Sequence, residues 1–313
     1  MTVAVCATVK NEAADAAALV ASLREQDLEA GEIVIVDGGS TDGTFDALRA
    51  AAAGDSRFDI RCAPGTNIAA GRNNAISATR APLVAVTDAG LRRSRHWLRS
   101  LVTAVQTEPR AAGSYGYILA APETTFEAAL GAVALPLAHQ IDPARYPPSS
   151  GSALFRREWL QRAGGYPEWL AHGEDLWLDR AIWRAGGWFR HAPGADVGLR
   201  PRSTVAAFCR QYFLYAAGDG QAGMLVPRHV LRYGSYALGL ALLLHPSPAA
   251  RALLALLAAA YLGRSLRRVP ATVRQTPGVN PLVAGALTPL LRIVGDLAKM
   301  SGFVAGRARR LRE

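Results

Sequence analysis

Through residues 3–88, short runs of β-forming residues alternate with helical stretches, and that alternation restricts the chain to few architectures. The strand-like runs are 3–8 (VAVCAT), 32–37 (EIVIVD), 58–62 (FDIRC) and 83–88 (LVAVTD); the helical stretches between them are roughly 13–27, 42–53 and 68–79. Strand, helix and strand at this spacing form a βαβ unit, whose strands pair in parallel. The runs are nearly continuous in apolar residues, as a sheet covered on both faces requires. The expected fold class is therefore α/β, a Rossmann-like, mostly parallel sheet with helices on both faces. Ligands bind such sheets beyond the carboxyl ends of the strands, so the residues just after each run are the candidates for function. Met1-Thr2-Val3-Ala4-Val5 has no basic segment and reads as the start of the first strand rather than as a signal peptide.

Residues 110–200 are less regular. A strand-like run covers 113–120 and a helix is expected near 124–137. The loop Tyr146-Pro147-Pro148-Ser149-Ser150 leads into a short strand at 151–156. Helices are expected at 157–163 and 174–185, on either side of Gly164-Gly165-Tyr166-Pro167.

The last third changes character. Apolar helical stretches cover 234–244 and 249–263, split by His245-Pro246-Ser247-Pro248, and a third covers 281–298 with Arg292 and Asp296 inside it. None reaches the ~20 apolar residues of a comfortable membrane span. The first two are expected to form a hairpin dipping into a bilayer or lying along its surface, with a buried soluble helical subdomain as the competing reading. Charge separates the alternatives. Residues 1–175 carry 16 basic and 20 acidic residues, a net of −4, and residues 176–313 carry 19 and 5, a net of +14. Arg228, Arg232, Arg264, Arg267, Arg268 and Arg274 bracket the hairpin, and Arg307, Arg309, Arg310 and Arg312 close the chain. That is the pattern of attachment to an anionic membrane surface, on the cytoplasmic face. The arginines are interleaved with aliphatic runs, which argues against nucleic acid as the partner. Cys6, Cys62 and Cys209 have no metal spacing and fit a reducing compartment; the first two fall in runs that read as buried strands.

Five places carry candidate chemistry. Asp37 ends the second run and is followed by Gly38-Gly39-Ser40-Thr41-Asp42-Gly43-Thr44; its carboxylate can accept from a nucleobase N–H or a ribose hydroxyl, whereas Asp42 reads as a helix cap. Thr8 ends the first run, and Asn11 and Glu12 follow it. Arg72, in Gly71-Arg72-Asn73-Asn74-Ala75, is suited to a base or to phosphate oxygens. Asp88, in Thr87-Asp88-Ala89-Gly90, is a candidate ligand for a divalent cation bridging a diphosphate, since magnesium accepts one or two carboxylates plus phosphate oxygens. Glu174 and Asp175 open a helix. Capping explains acids there, and so does a general base acting on a hydroxyl.

Singly these motifs are weak; their order and spacing resemble glycosyltransferase family 2, the inverting GT-A enzymes. The resemblance rests on Ala7-Thr8-Val9-Lys10-Asn11-Glu12, Val36-Asp37-Gly38-Gly39-Ser40-Thr41-Asp42-Gly43-Thr44, Gly71-Arg72-Asn73-Asn74-Ala75, Thr87-Asp88-Ala89-Gly90, and Gly173-Glu174-Asp175 with Arg180 and Ala185-Gly186-Gly187. It covers roughly residues 1–225. It implies a GT-A catalytic domain over 1–223, followed by a basic, apolar helical, membrane-associated tail over 224–313. It further implies that Asp37 and Arg72, with Thr8, Asn11 and Glu12, contact the donor nucleotide. Asp88 would meet metal and diphosphate, and Asp175 would be the catalytic base, with Glu174 as the alternative. The family commonly places a second acid where this chain has Gly90, so a magnesium or manganese ion would need another ligand; His96 and His172 are candidates. The common Asp-Asp-Gly-Ser element is Asp37-Gly38-Gly39-Ser40 here. A membrane-attached subgroup resembles the chain in both departures and in the stretch Gln211–Gly220. The Gln-x-x-Arg-Trp signature of processive synthases is absent. The expectation is transfer of one sugar at a time from a nucleoside-diphosphate sugar to a glycan or lipid-linked glycan, in cell-envelope or extracellular polysaccharide synthesis. The alternative is a catalytically silent protein of the same fold that binds membrane or polyanion.

Overall fold

A computed structural model describes residues 2–312; Met1, from the opening run, and Glu313 lie outside the described residues. The chain opens with β1 (Val3–Val9), α1 (Ala13–Arg24), β2 (Glu32–Asp37), α2 (Thr44–Ala52), β3 (Phe58–Cys62), α3 (Ile68–Ser77) and β4 (Leu83–Thr87). Then come β5 (Leu91–Arg92), α4 (Trp97–Gln106), β6 (Gly113–Tyr115), β7 (Ile118–Ala120), α5 (Thr125–Ala134), β8 (Ser152–Arg156), α6 (Arg157–Arg162), α7 (Glu174–Arg184), β9 (Phe189–His191) and β10 (Val197–Leu199). The rest is helical: α8 (Val205–Ala222), α9 (Val226–Leu244), α10 (Pro248–Leu266), α11 (Val269–Arg274) and α12 (Pro281–Arg310). The chain divides into two compact units. One runs through Leu119 and resumes at Ala138–Leu199; the other comprises Ala120–Leu137 and the chain from Arg200 onward.

The first unit is built on a seven-stranded sheet of order β3-β2-β1-β4-β8-β6-β9. The β1, β2, β3 and β4 strands are parallel, and β8 runs antiparallel to both β4 and β6. Successive strands step outward from β1 to β3, and the chain then returns to lay β4 on the other side of β1. The strand order therefore reverses between β1 and β4, and the ligand crevice of such a sheet lies beyond that point. Cys6, Val34, Val36, Val84 and Val86 fill one face against Ala75, Leu160, Leu178 and Ile182 from α3, α6 and α7. Two expectations change. Cys62 is exposed, because β3 is the edge strand and has a neighbour on one side only. The run 113–120 is two strands in two sheets. At Gly116 a Cβ would lie 1.8 Å from the Ala195 carbonyl oxygen, and there the chain leaves the large sheet for the three-stranded sheet β5-β10-β7.

The second unit is a helical assembly in which α8 lies along α12. Its core joins Leu130 and Val133 of α5, Phe208 and Tyr212 of α8, and Ala284 and Leu291 of α12. Helix 205–222 thus shares its apolar face with the C-terminal helices. These helices outrun the apolar stretches that mark them, because the flanking arginines continue the helix. Two segments, Pro248–Arg274 and Pro281–Arg310, are in consequence long and apolar enough to cross a membrane, where the sequence led us to expect none. Few of their residues are buried. This apolar, helical C-terminal region is consistent with association with a membrane.

Candidate active site

The β1–α1 and β2–α2 loops are tied to one another by side chain–backbone hydrogen bonds. The Asn11 N–H donates to Ser40 Oγ (2.8 Å), and Asn11 Oδ1 accepts from the Thr41 N–H (2.9 Å). The Glu12 N–H donates to Thr44 Oγ1 (2.8 Å). Asp42 does more than the expected cap. Gly43, at φ 90°, holds the cap position of α2, and the Asp42 carboxylate accepts from the Ala13 N–H (3.1 Å) and the Thr44 N–H (3.1 Å). It thereby serves the first residues of two helices, whose N–H groups have no intrahelical partner. Beside these loops, Thr8 Oγ1 donates to the Val36 carbonyl (3.2 Å). A Cβ on Gly71 would stand 2.3 Å from that oxygen, so only glycine lets α3 press against the end of β1.

Asp37 is fully buried at the end of β2. Its Oδ1 accepts from the N–H groups of Gly39 and Ser40, both at 2.7 Å. Its Oδ2 is buried and has no hydrogen-bond partner among the described residues. A buried acceptor without a donor is costly, and this one is chemically suited to a ligand N–H or O–H.

Arg72 joins the end of β4 to the start of α7. Its Nη2 bonds Asp88 Oδ1 (2.7 Å) and its Nη1 bonds Glu174 Oε1 (2.6 Å), while the guanidinium lies 5.3 Å from the centroid of the Tyr166 ring. The arginine and Glu174 side chains are 3% and 7% exposed, and that of Asp88 is 34% exposed. Burial alone would lower the Arg72 guanidinium, but Asp88, Tyr166 and Glu174 hold it above its usual value. Arg72 is thus enclosed between carboxylates rather than open to solvent. Asp175 follows Glu174 at the first turn of α7, and its Oδ1 accepts from the Leu176 N–H (2.8 Å). Burial pushes both carboxyls up, and Arg72 pulls against it.

Sequence reasoning missed Asp179, one helical turn beyond Asp175. It is 1% exposed, its Oδ2 has no hydrogen-bond partner among the described residues, and burial followed by the charge of Asp175 pushes it well above the usual carboxylate range. The signal was present as the i, i+4 spacing, which places both carboxyls on one helix face. Tyr166 was also missed; its hydroxyl shares a 2.7 Å hydrogen bond with Ser150. With Asp179 pushed toward its neutral form, Asp88, Glu174 and Asp175 set three carboxylates against Arg72 and Arg93, which bears on Asp88, formally −1.

The fit of a divalent cation turns on Asp88. Its Oδ1 is engaged by Arg72, which leaves Oδ2 for a metal. Among the described residues no group of three or more His, Cys, Asp or Glu side chains is placed to hold an ion. His96 belongs to no such group; its Nδ1 is bonded to Asp27 Oδ2 at 2.5 Å. Gly90 has φ 69°, and a Cβ there would lie 3.4 Å from Asp15 Oδ2; an acid at this position would begin from a strained backbone against a second carboxylate. A magnesium- or manganese-type ion fits here on one protein oxygen, with substrate oxygens completing its shell.

Residues 4–163 match the family model described as glycosyl transferase family 2, and residues 89–285 match that described as glycosyl transferase family group 2. The succinoglycan biosynthesis protein ExoU of Rhizobium meliloti is 39% identical over 88 residues, which are 28% of this chain and 25% of that protein. Among solved structures, the mannosyltransferase PcManGT from Pyrobaculum calidifontis, in complex with GDP-Man and Mn2+, aligns with a TM-score of 0.53 at 21% identity, covering 99% of this chain and 86% of that one. TarS of S. aureus aligns with a TM-score of 0.49 at 14% identity, covering 98% and 55%. The likeness to the mannosyltransferase is one of fold.

Proposed function

We propose, from the premise that this chain belongs to glycosyl transferase family 2 and is a glycosyltransferase with a GT-A type fold, that it transfers one sugar from a nucleoside-diphosphate sugar to an acceptor hydroxyl with inversion. The observation that carries the reading is the buried Arg72 bridge. It holds Asp88 and the Glu174–Asp175 turn in one cluster, so a group serving the diphosphate and a group serving the hydroxyl share a site.

In this reading the nucleoside lies over the β1 and β2 ends, with Thr8, Asn11 and Glu12 lining the loops and the unpartnered Asp37 Oδ2 accepting from base or ribose. Asp88 faces the diphosphate. Asp175 takes the proton of the acceptor hydroxyl, whose oxygen forms a bond to the anomeric carbon as the bond from that carbon to the diphosphate breaks. The nucleoside diphosphate departs with that electron pair. Burial suits Asp175 to this role, because a base works best when its pKa approaches the working pH. Glu174 is less suited, since its carboxylate is paired to Arg72. The net negative cluster repels an incoming diphosphate, which supports a divalent cation held by Asp88; bound there, it supplies positive charge to the phosphate oxygens. The catalytic part is proposed to extend over 1–223.

The acceptor is proposed to be a glycan or lipid-linked glycan of extracellular or cell-envelope polysaccharide synthesis, worked on at the cytoplasmic face of the membrane. The partial match to a succinoglycan biosynthesis protein and the apolar C-terminal helices support this. Calorimetric titration of Asp88→Ala with a nucleoside and with its diphosphate, each with and without manganese, tests the site. The expected result is a large loss for the diphosphate and little change for the nucleoside. Equal losses for both would make Asp88 a structural residue and remove the reading.

A further inference from the structure

A polar cluster interrupts the apolar helices of the second unit. Asp296 on α12 accepts from Arg232 Nε on α9 (3.0 Å) and from the Tyr261 hydroxyl on α10 (2.6 Å). Arg232 Nη1 also bonds His229 Nδ1 (3.0 Å). A guanidinium has no acceptor, so His229 must accept there and carry its proton on Nε2, which donates to Asp219 Oδ2 (3.0 Å). His229 is therefore a neutral link between two charged groups, and both carboxylates of the cluster are engaged.

The cations are not matched. Arg228 and Lys299 have no carboxylate within ion-pair distance among the described residues, and the Lys299 ammonium rests 3.8 Å from the centroid of the Tyr212 ring. Arg292 reaches Asp296 only at 3.7 Å, and its buried Nε makes no hydrogen bond. Arg228, Arg232 and Arg292 all bear on Lys299 electrostatically. Four cations against Asp219 and Asp296 leave an excess of +2. Arg228 is exposed to water at the edge of the cluster, whereas Arg232, Arg292 and Lys299 are partly buried, where an unmatched cation is costly. The excess matches a phosphate monoester, which carries about −1.5 to −2 at neutral pH.

The position of the cluster indicates where that phosphate comes from. The α9 and α10 helices form a hairpin, with the Tyr236 and Tyr261 hydroxyls 3.0 Å apart near its base. Toward its tip Leu240, Leu243, Leu244, Leu253 and Leu256 are exposed. At 1.5 Å per helical residue, Arg232 lies about 12 Å along α9 from Leu240. Cations at the base and an unpartnered apolar tip match the headgroup and tails of one lipid. Resting on the membrane association proposed above, we infer that Arg228, Arg232, Arg292 and Lys299 form a binding site for the phosphate headgroup of a lipid.

The test uses the full chain, no sugar donor and no transfer reaction, so its failure leaves the transferase reading untouched. Binding is measured to phosphatidylcholine vesicles doped with phosphatidic acid, and to vesicles of equal charge doped with phosphatidylglycerol. The parent is expected to prefer phosphatidic acid. Lys299→Met is expected to weaken that binding roughly tenfold or more, the loss of one charge-assisted hydrogen bond, and to leave phosphatidylglycerol binding unchanged. Lys299→Arg keeps the charge and should keep the preference, which separates loss of the site from loss of the fold. Arg309→Gln, at an exposed arginine outside the cluster, should lower binding to both vesicles alike. The proposal is overturned if the parent shows no preference or if Lys299→Met loses both vesicles equally. Inorganic phosphate, added as competitor, should release the protein from phosphatidic acid and leave phosphatidylglycerol binding unchanged; phosphate binding that Lys299→Met abolishes in a parent with no preference for phosphatidic acid would make the site one for a soluble anion.

Discussion

Gly306→Ala should destabilise the helical unit, although alanine is the better helix former. A Cβ on Gly306 would lie 2.0 Å from the Ala217 carbonyl oxygen, and one on Gly302 would lie 2.1 Å from that of Phe213. Ordinary contact begins at 3.4 Å, so α12 must retreat from α8 by 1.4 Å at Gly306 (3.4 − 2.0). The obstacle is backbone, which cannot swing aside. A gap of ~0.5–1 Å already forfeits a quarter to a half of each dispersion contact along the seam. We place the overpacking cost at the top of its usual range, ~3 kcal/mol. Propensity returns ~1 kcal/mol, for a net loss of ~2 kcal/mol. Adding Gly302→Ala should cost less than a second ~2 kcal/mol, since one retreat relieves both clashes. Gly285, on the same helix, has nothing within 4 Å of its Cβ position, so Gly285→Ala should gain up to ~1 kcal/mol. Denaturant unfolding in mild detergent, followed by circular dichroism, measures the parent, the three single variants and the double variant. If Gly306→Ala is as stable as Gly285→Ala, α8 and α12 do not approach through these glycines. Strict additivity of the double variant would also refute a shared displacement.

Asp175→Asn should cut transfer by ~100- to 10,000-fold with donor binding near the parental value, and the parent's rate should fall on the acid side around a midpoint above the ordinary aspartate value of ~3.9; transfer at the parental rate would eliminate Asp175 as the base. Asp179→Asn should stabilise the protein at neutral pH. The folded carboxyl keeps its proton above the pH at which the unfolded one releases it, so the parent loses stability as pH rises from about 4, at up to ~1.4 kcal/mol per unit until the folded group ionises. The gain should be present at pH 7 and near zero at pH 4, and equal stability of the two proteins at both values would show that Asp179 is not held neutral. The full chain should sediment with anionic vesicles, and ~1 M salt, which shortens the Debye length to ~3 Å, should release only a minority; complete release by salt would mean a peripheral arginine patch. The full chain is needed because a cut after Gly223 uncovers Phe208 and Tyr212 of α8, which pack on α12.

The sequence by itself determined the parallel sheet and the candidate side chains at the ends of its strands. The runs that became β1, β2 and β4, and the glycines and acids that follow them, act within a few residues, where periodicity and turn chemistry are legible. The same locality explains why Asp37, Asp88 and the Glu174–Asp175 pair were found as candidates at the ends of elements. Tertiary structure alone decided what those residues meet. Arg72 is met at its two ends by Glu174, 102 positions away, and by Asp88, which no local pattern announces. The 113–120 run gave no sign of dividing, because the obstacle at Gly116 is a carbonyl from Ala195. Gly302 and Gly306 lie beyond the 281–298 stretch, and only the backbone of α8 supplies the reason for them. Lys299 was one of two lysines in an arginine-rich chain and acquired its surroundings only when four helices converged. A side chain's charge and shape are written in the chain, but its dielectric surroundings and its partners are set by segments that meet it only on folding.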